Sequence, residues 1–218
     1  MPQPLQTIDR IKENGVVAVI RKVPADKVVD VADSLIQGGI NALEVTLDSE
    51  DALQTITKLQ YTFKDRAIIG AGTVLDDMSA RLAIQHGAAF IVSPILSQSI
   101  IQTTLRYGKV CVSGAYTPTE MFQAVEWGAH IVKLFPASVG GPDFIKNVRG
   151  PLPHIPIIPT GGMHLDHVGD FIKAGAIAIG TGSHLVNNER IMAGQFDQIT
   201  ETARKYVTAV QDARQSMR

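Results

Sequence analysis

The sequence predicts an α/β fold, a (β/α)8 TIM barrel with an extra N-terminal helix. Eight short runs of apolar and β-branched residues begin every 19 to 26 residues, a spacing that suits one strand followed by one helix. The runs are nearly continuous rather than alternating, which is typical of parallel strands covered on both faces. Gly-Ala or Gly-Gly pairs precede several of them, as expected where a helix ends just before a strand. An open doubly wound sheet is the alternative architecture.

The extra helix is predicted over residues 1–13, where Leu5, Ile8 and Ile11 recur at helical spacing and would cover the bottom of the barrel. The strands follow it at regular intervals. The eight predicted strands are Val16–Ile20, Ala42–Leu47, Ala67–Val74, Phe90–Ser93, Val110–Ser113, Ile131–Phe135, Ile157–Thr160 and Ala176–Gly180.

Amphipathic helices are predicted between these strands. Apolar residues from Val28 to Ile36 have the i, i+4, i+7, i+8 spacing of one helix face and stop at Gly38-Gly39, a natural C-terminal cap. Thr117-Pro118-Thr119-Glu120 has the pattern of a capping box with proline at the first helical position. A final helix is indicated by Phe196, Ile199, Ala203, Tyr206, Val207 and Val210.

The composition favours one domain over residues 1–218 with a small soluble ligand. The chain has 218 residues, of which 45% are hydrophobic and 19% charged, and a net charge of −1. This balance supplies no basic face for nucleic acid or a membrane, so neither is expected as a partner. Cys111 is the one cysteine, which excludes an intrachain disulfide. The first residues lack the pattern of a secretory signal and no apolar run approaches a membrane span, so we expect a soluble, cytoplasmic protein.

Polar residues stand at the ends of seven of the predicted strands. In barrels of this class the active site is built where the strands end and the following loops begin, so these residues are candidates for function. They are Arg21, Glu44, Thr73, Ser93, Lys133, Thr160 and Ser183.

Two of these candidates carry opposite charges on strands that are otherwise apolar. If the more apolar set of each strand meets the helices, alternation directs Glu44 on the second strand and Lys133 on the sixth into the barrel. Burying either charge alone would be costly, so the two are expected to lie together. The pair could be a structural ion pair. A catalytic role is favoured because ionisable groups at this end of a barrel commonly have environments suited to chemistry.

A desolvated lysine suggests a particular chemistry. Burial disfavours the charged ammonium, and a neutral amine can attack a ketone to give an iminium, which stabilises a carbanion on the neighbouring carbon. Forming the iminium and cleaving a bond beside it both move protons, a task for which a partly buried glutamate is suited. Lys133 is therefore the candidate nucleophile and Glu44 the candidate acid and base.

Two glycine-rich turns indicate a phosphate site. Gly161 and Gly162 follow the seventh strand, and Gly182 and Ser183 follow the eighth, the two places where many barrels bind phosphate. Without Cβ atoms, backbone N–H groups can approach an anion closely. Glycine is also what any tight turn requires, but two such turns together favour a phosphorylated ligand.

The sequence offers little support for a metal or another cofactor, and none is expected. No dinucleotide fingerprint or nucleophile elbow stands in the right setting, and the histidines lack carboxylate partners at metal-ligand spacing. The histidines are His86, His130, His154, His164, His167 and His184.

These residues resemble the 2-keto-3-deoxy-6-phosphogluconate (KDPG) aldolase and 4-hydroxy-2-oxoglutarate aldolase family over nearly the whole chain. The segments that carry the resemblance are Leu43-Glu44-Val45-Thr46, Gly70-Ala71-Gly72-Thr73-Val74, Ile91-Val92-Ser93-Pro94, Lys133-Leu134-Phe135-Pro136 and Pro159-Thr160-Gly161-Gly162.

The resemblance implies a class I, metal-free aldolase that forms a Schiff base and cleaves a phosphorylated keto acid to pyruvate and glyceraldehyde 3-phosphate, usually as a homotrimer. In this sequence it implies Lys133 as the Schiff-base lysine and Glu44 as the general acid and base. The implied substrate contacts are Thr73, Pro94, Phe135 and Thr160, and the implied phosphate ligands are Gly161, Gly162, Gly182 and Ser183.

The sequence departs from the family pattern at Asp48. Some members have an arginine there that grips the substrate carboxylate, whereas an aspartate would repel it. Arg21 resembles an arginine that other members carry at the end of the first strand, and its planar fork suits carboxylate recognition. The alternative for Arg21 is an exposed side chain beside Lys22.

Several functions remain open at this point. The changed residue next to Glu44 could select the galactonate epimer or an unphosphorylated acid such as 4-hydroxy-2-oxoglutarate. A phosphate-binding barrel could also be an isomerase, epimerase or synthase in which Lys133 is an electrostatic contact. A non-catalytic phosphosugar-binding barrel is the third possibility, against which the inward Glu44 and Lys133 argue.

Overall fold

The structure is a computed structural model that describes residues 3–217. Within these residues eight strands alternate with helices along the chain. The strands are β1 (Val16–Ile20), β2 (Ala42–Thr46), β3 (Ile68–Gly72), β4 (Phe90–Val92), β5 (Val110–Ala115), β6 (Ile131–Leu134), β7 (Ile157–Pro159) and β8 (Ile179–Thr181).

The helices follow the strands in the order expected for repeated βα units. A 3-10 turn, Lys64–Arg66, follows the third helix. The α-helices are α1 (Pro4–Asn14), α2 (Val28–Gln37), α3 (Ala52–Phe63), α4 (Asp77–Gln85), α5 (Gln98–Arg106), α6 (Pro118–Glu126), α7 (Ala137–Arg149), α8 (Leu165–Lys173), α9 (Asn188–Met192) and α10 (Phe196–Gln215).

The strands form one parallel sheet that closes on itself. Their order is β7-β6-β5-β4-β3-β2-β1-β8, and a parallel bridge between Thr160 and Gly180 joins the two ends. Every pairing of neighbouring strands is parallel. The predicted (β/α)8 barrel is therefore confirmed, and the open doubly wound sheet is wrong.

Most predicted strands match the structure to within two residues at each end, and the eighth is the exception. The run from Ala176 is buried and apolar as predicted, but the strand begins at Ile179, whose N–H donates to the Gly15 carbonyl. Ile177, which precedes the strand, donates its N–H to the Ile157 carbonyl of β7 but lies outside the paired strand. The apolar pattern predicted the buried segment correctly, but it does not determine at which residue strand pairing begins.

Alternate strand residues form two separate cores. Outward residues pack against the helices, while inward residues such as Val17, Phe90 and Ile158 fill the barrel. Ile11 of α1 belongs to the inner cluster and is fully buried, so α1 closes the bottom of the barrel. This confirms the extra helix, although Met1 and Pro2 of its predicted range lie outside the described residues.

The last helix is attached to the same end. Arg214 of α10 donates hydrogen bonds to the carbonyls of Lys12 and Glu13 at the end of α1, and to that of Ile177 before β8. These carbonyls have no partner within a helix, so the guanidinium satisfies them. The first and last helices are thereby held together below the barrel.

No helix within residues 3–217 combines the length and the apolar character that crossing a membrane requires.

Candidate active site

The centre of the candidate site is an ion pair inside the barrel. Lys133 on β6 places its Nζ atom 3.8 Å from Oε1 of Glu44 on β2, and the two side chains are 6% and 3% exposed. Register places Glu44 beside Gly70 of β3 and Lys133 beside Gly114 of β5. Two charges on separate strands thus meet in a space lined mainly by apolar side chains.

Glycine on β3 makes room for the carboxylate. A Cβ atom at Gly72 would lie 1.9 Å from Oε1 of Glu44 and 2.4 Å from its Cδ. Any side chain at this position would displace the Glu44 carboxylate. The close approach of backbone and carboxylate therefore depends on glycine at position 72.

The ion pair leaves one carboxylate oxygen without a hydrogen bond. Glu44 Oε1 is buried and accepts no hydrogen bond from the described residues, and 3.8 Å to the lysine is too long for one. A small cavity of about 10 Å³ is lined by Glu44, Lys133, Thr160 and apolar residues, among them Ile11 of α1 at the bottom of the barrel. Because the bottom is closed, a substrate must reach the pair from the carboxyl ends of the strands.

An aromatic ring stands above the lysine at that open end. Phe135 follows β6, is 40% exposed, and its ring centroid lies 5.4 Å from Lys133 Nζ. The N–H groups of Ala137 and Ser138 donate to the carbonyls of Thr160 and Gly161. These bonds hold the turn after β6 against the turn after β7.

The turn after β7 requires glycine, whereas the turn after β8 does not. Gly161 and Gly162 have φ values of 93° and 68°, a region that side chains rarely adopt, and a Cβ at Gly162 would lie 2.6 Å from that of Ser138. At Gly182 the nearest atom to an added Cβ would be 3.4 Å away, which is an ordinary contact. The absent side chain at Gly182 leaves space beside the exposed Ser183.

Side chains hold these two turns side by side. The Met163 carbonyl accepts hydrogen bonds from Thr181 Oγ1 and from the Tyr206 hydroxyl. The rings of His164 and His184, which follow the two glycine turns, lie 3.7 Å apart between centroids. Burial, and secondarily the neighbouring His164, lowers the pKa of His184. The two backbone segments predicted to bind phosphate therefore face one another.

A second polar cluster lies at the ends of β1, β2 and β3. Arg21 donates one hydrogen bond of 2.7 Å to Asp48 and another of 2.8 Å to the Thr73 hydroxyl. Thr73 has a left-handed backbone with φ of 55°. Asp48 thus pairs with a cation instead of facing an anion alone. The Arg21 side chain remains 49% exposed, so the rest of its fork is accessible.

The predicted site residues thus fall into adjacent groups at one end of the barrel. Pro94, in the turn after β4, packs on the backbone of β5, where a Cβ at Gly114 would lie 2.3 Å from the Pro94 carbonyl carbon. No side-chain hydrogen bond or ion pair described within residues 3–217 joins the Arg21 cluster to the Lys133–Glu44 pair.

Two features of the site were not found in the sequence. Ser138 contacts Gly162 at the glycine turn, but it lies two residues after the Lys133-Leu134-Phe135-Pro136 segment that carries the family resemblance. The partnership of Asp48 with Arg21 joins residues 27 positions apart. The signal for both was a polar residue near the end of a strand. Among the described residues, no group of three or more His, Cys, Asp or Glu side chains could hold a metal ion.

A barrel with a buried lysine–glutamate pair below facing glycine turns has the arrangement of a Schiff-base lyase. Comparison with known proteins agrees, since the family model for KDPG and KHG aldolases matches residues 7–202. The chain belongs to this aldolase family.

Relatives in the family act on different sugar acids. The chain is 32% identical to 2-dehydro-3-deoxy-6-phosphogalactonate aldolase of Escherichia coli, over 89% of this chain and 96% of that one. It is also 32% identical to 2-dehydro-3-deoxy-phosphogluconate aldolase of Haemophilus influenzae, over 94% and 97%. A KDPG aldolase structure from Legionella pneumophila, with pyruvate captured as a covalent carbinolamine, matches with TM-score 0.84 and 27% identity over 89% and 95%.

The close approach at Gly72 leads to a stability prediction. Gly72→Ala should lower the free energy of unfolding by about 1–3 kcal/mol, because the methyl group overpacks a site whose nearest atom belongs to the buried Glu44. Urea unfolding would measure the change. Gly169→Ala in α8 is the matched control, since its added Cβ would lie 3.9 Å from the nearest atom. Equal stability of the two variants would contradict the steric argument.

Proposed function

We propose that the protein is a class I aldolase that reversibly cleaves 2-keto-3-deoxy-6-phosphogluconate to pyruvate and glyceraldehyde 3-phosphate. The observation that carries the proposal is the buried pair of Lys133 and Glu44, 3.8 Å apart inside the barrel. The names of the relatives support the same reaction class.

In the first step Lys133 acts as the nucleophile. Its neutral amine attacks the C2 ketone to form a carbinolamine, and loss of water gives an iminium that joins Nζ to C2. The departing hydroxyl takes up a proton that Glu44 can deliver, since its carboxyl group lies beside Nζ. The iminium then serves as the electron sink for the next step.

In the second step Glu44 acts as the base. It accepts the proton of the C4 hydroxyl, the C3–C4 bond breaks, and the electron pair moves to the iminium to give an enamine while the aldehyde leaves. Protonation of the enamine at C3 and addition of water to C2 then release pyruvate and restore the amine. Glu44 Oε1, which accepts no hydrogen bond from the described residues, is available to accept the proton.

The remaining residues hold the two ends of the substrate in this proposal. Arg21 and Thr73 bind the keto-acid carboxylate, with Asp48 fixing the guanidinium. Residues that line the reacting carbons are Pro94, Phe135 and Thr160, and those that bind the phosphate are Gly161, Gly162, Gly182 and Ser183. The hydrogen bonds of Arg21 and the positions of the two glycine turns support these assignments.

Reductive trapping tests the central step. Borohydride added in the presence of pyruvate should attach one pyruvyl unit to Lys133, because reduction makes the iminium permanent. Peptide mass spectrometry locates the label. Lys133→Met should take up no label, and Lys173→Met, on the exposed face of α8, should be labelled as the wild type is. A label on another lysine would contradict the assignment. Retained turnover in Lys133→Arg would favour an isomerase or synthase.

The galactonate epimer is the second candidate substrate, favoured by the E. coli relative and by Asp48 in place of arginine. Pyruvate release should be measured with the gluconate and galactonate epimers and with 4-hydroxy-2-oxoglutarate, each sugar acid with and without its phosphate. We expect the highest kcat/KM with the phosphorylated gluconate epimer. A preference for the galactonate epimer, or for an unphosphorylated acid, would replace the proposed substrate but not the proposed aldol cleavage.

We also propose that residues 1–218 act as one domain, that the protein is cytoplasmic and that it is a homotrimer. Phosphorylated acids do not cross membranes unaided, which places their enzymes with them inside the cell. Exposed apolar side chains on and before α4 support association. These are Leu75, Met78 and Leu82, with 55%, 71% and 41% exposure.

Light scattering tests the trimer. The measured mass should be three times the chain mass of 23.5 kDa. Met78→Asp should reduce it, because a charge would be buried at the contact, whereas Tyr61→Asp, at a similarly exposed site on α3, should leave it unchanged. A monomeric wild type would exclude the proposal.

A further inference from the structure

A cavity beside the ends of β1 and β8 is distinct from the space around the catalytic pair. It has a volume of about 260 Å³ and is lined by Arg21, Lys22, Gly182, Ser183 and Asn188 together with two valines. We name it the β1–β8 cavity. It therefore connects two cations that follow β1 with the glycine turn that follows β8.

The two cations of the β1–β8 cavity differ in their partners. Arg21 is neutralised by Asp48 at 2.7 Å. Lys22 forms no ion pair within residues 3–217, and its side chain is exposed. The acidic residue closest in sequence to the lining is Glu189, which does not line the cavity. The cavity therefore carries a net positive charge that Lys22 supplies.

The backbone holds Lys22 in an unusual conformation at this place. Its φ is 52°, in the left-handed region, and its N–H donates a 2.8 Å hydrogen bond to Ser49 Oγ. Glycine would adopt this conformation more easily than lysine. This backbone conformation assigns no role by itself, but it does not favour lysine at position 22.

Lys22 supplies what the glycine turns lack. Backbone N–H groups and a serine hydroxyl can donate hydrogen bonds to a phosphate ester, but they carry no formal charge against its charge of nearly −2. Gly182 lines the same cavity as Lys22, and an added Cβ there would meet Val19 only at the ordinary contact distance of 3.4 Å.

We propose that Lys22, assisted by Asn188, binds the terminal phosphate of the substrate in the β1–β8 cavity and sets the preference for phosphorylated over unphosphorylated acids. The ligand class is a phosphomonoester dianion. This inference rests on the proposed function, which it deepens by assigning a charged group to the phosphate end.

Binding of inorganic phosphate tests the subsite independently of catalysis. Isothermal titration of Lys22→Gln and Lys22→Gly should give a Kd about tenfold higher than that of the wild type, as expected for one charge-assisted hydrogen bond. Glycine readily adopts the left-handed backbone at position 22, so Lys22→Gly removes the charge without straining the fold. Lys22→Arg should bind within about threefold of the wild type, because it keeps the charge.

Lys27→Gln is the matched control. It removes the same charge five positions along the chain, from a lysine that lies 3.8 Å from Asp26 and outside the cavity. If phosphate affinity falls equally in Lys27→Gln and Lys22→Gln, the effect is one of overall charge and the proposal is wrong. A wild type that binds no phosphate overturns it as well.

Kinetics give the second readout. In Lys22→Gln the ratio of kcat/KM for the phosphorylated acid to that for the unphosphorylated acid should fall about tenfold, mainly through KM. An unchanged ratio overturns the proposal. Lys22-dependent phosphate binding without any pyruvate release by the wild type would instead retain the subsite and refute the aldolase function.

Discussion

Lys133 and Glu44 carry opposite charges that are enclosed in an apolar barrel, and the rest of the structure is arranged to bring them together. β2 and β6 have three strands between them on either side of the ring. In an open sheet they would stand four strand spacings, or about 19 Å, apart. Closure through Thr160 and Gly180 brings the side chains to 3.8 Å. A buried ion pair adds little stability against the cost of its desolvation, so the value of this pair is chemical.

The charged side chains around this site form two ion pairs, each of which contains its own counter-charge. Lys133 and Glu44 balance one another, and Arg21 is balanced by Asp48, so the end of the site proposed to bind the keto acid is close to neutral. An aspartate at position 48 is therefore compatible with an anionic ligand, because its charge is already matched by a cation that is half exposed. In the proposed binding mode, recognition of the carboxylate depends on directed hydrogen bonds from Arg21 and Thr73 more than on net attraction.

The sequence was most informative where one physical requirement acted alone. Continuous apolar runs predicted seven strands closely, because parallel strands must be covered on both faces. A lysine in the middle of such a run was conspicuous for the same reason. Contacts between distant turns could not be predicted from the sequence, because they depend on how loops approach one another. They are the pairing of Asp48 with Arg21, the contact of Ser138 with Gly162 and the ring contact of His164 with His184. The late start of β8 was missed because burial and strand pairing are separate constraints.

The hydrogen bonds from Arg214 to the end of α1 also determine where the protein can be attached to a support or a fusion partner. Since the first and last helices meet under the barrel, attachment points near both helices lie on the face opposite the pocket. A tether to a solid support or a fused partner at either place would leave the pocket accessible to small molecules. An immobilised catalyst could thus be oriented with its pocket toward solution from either end of the chain.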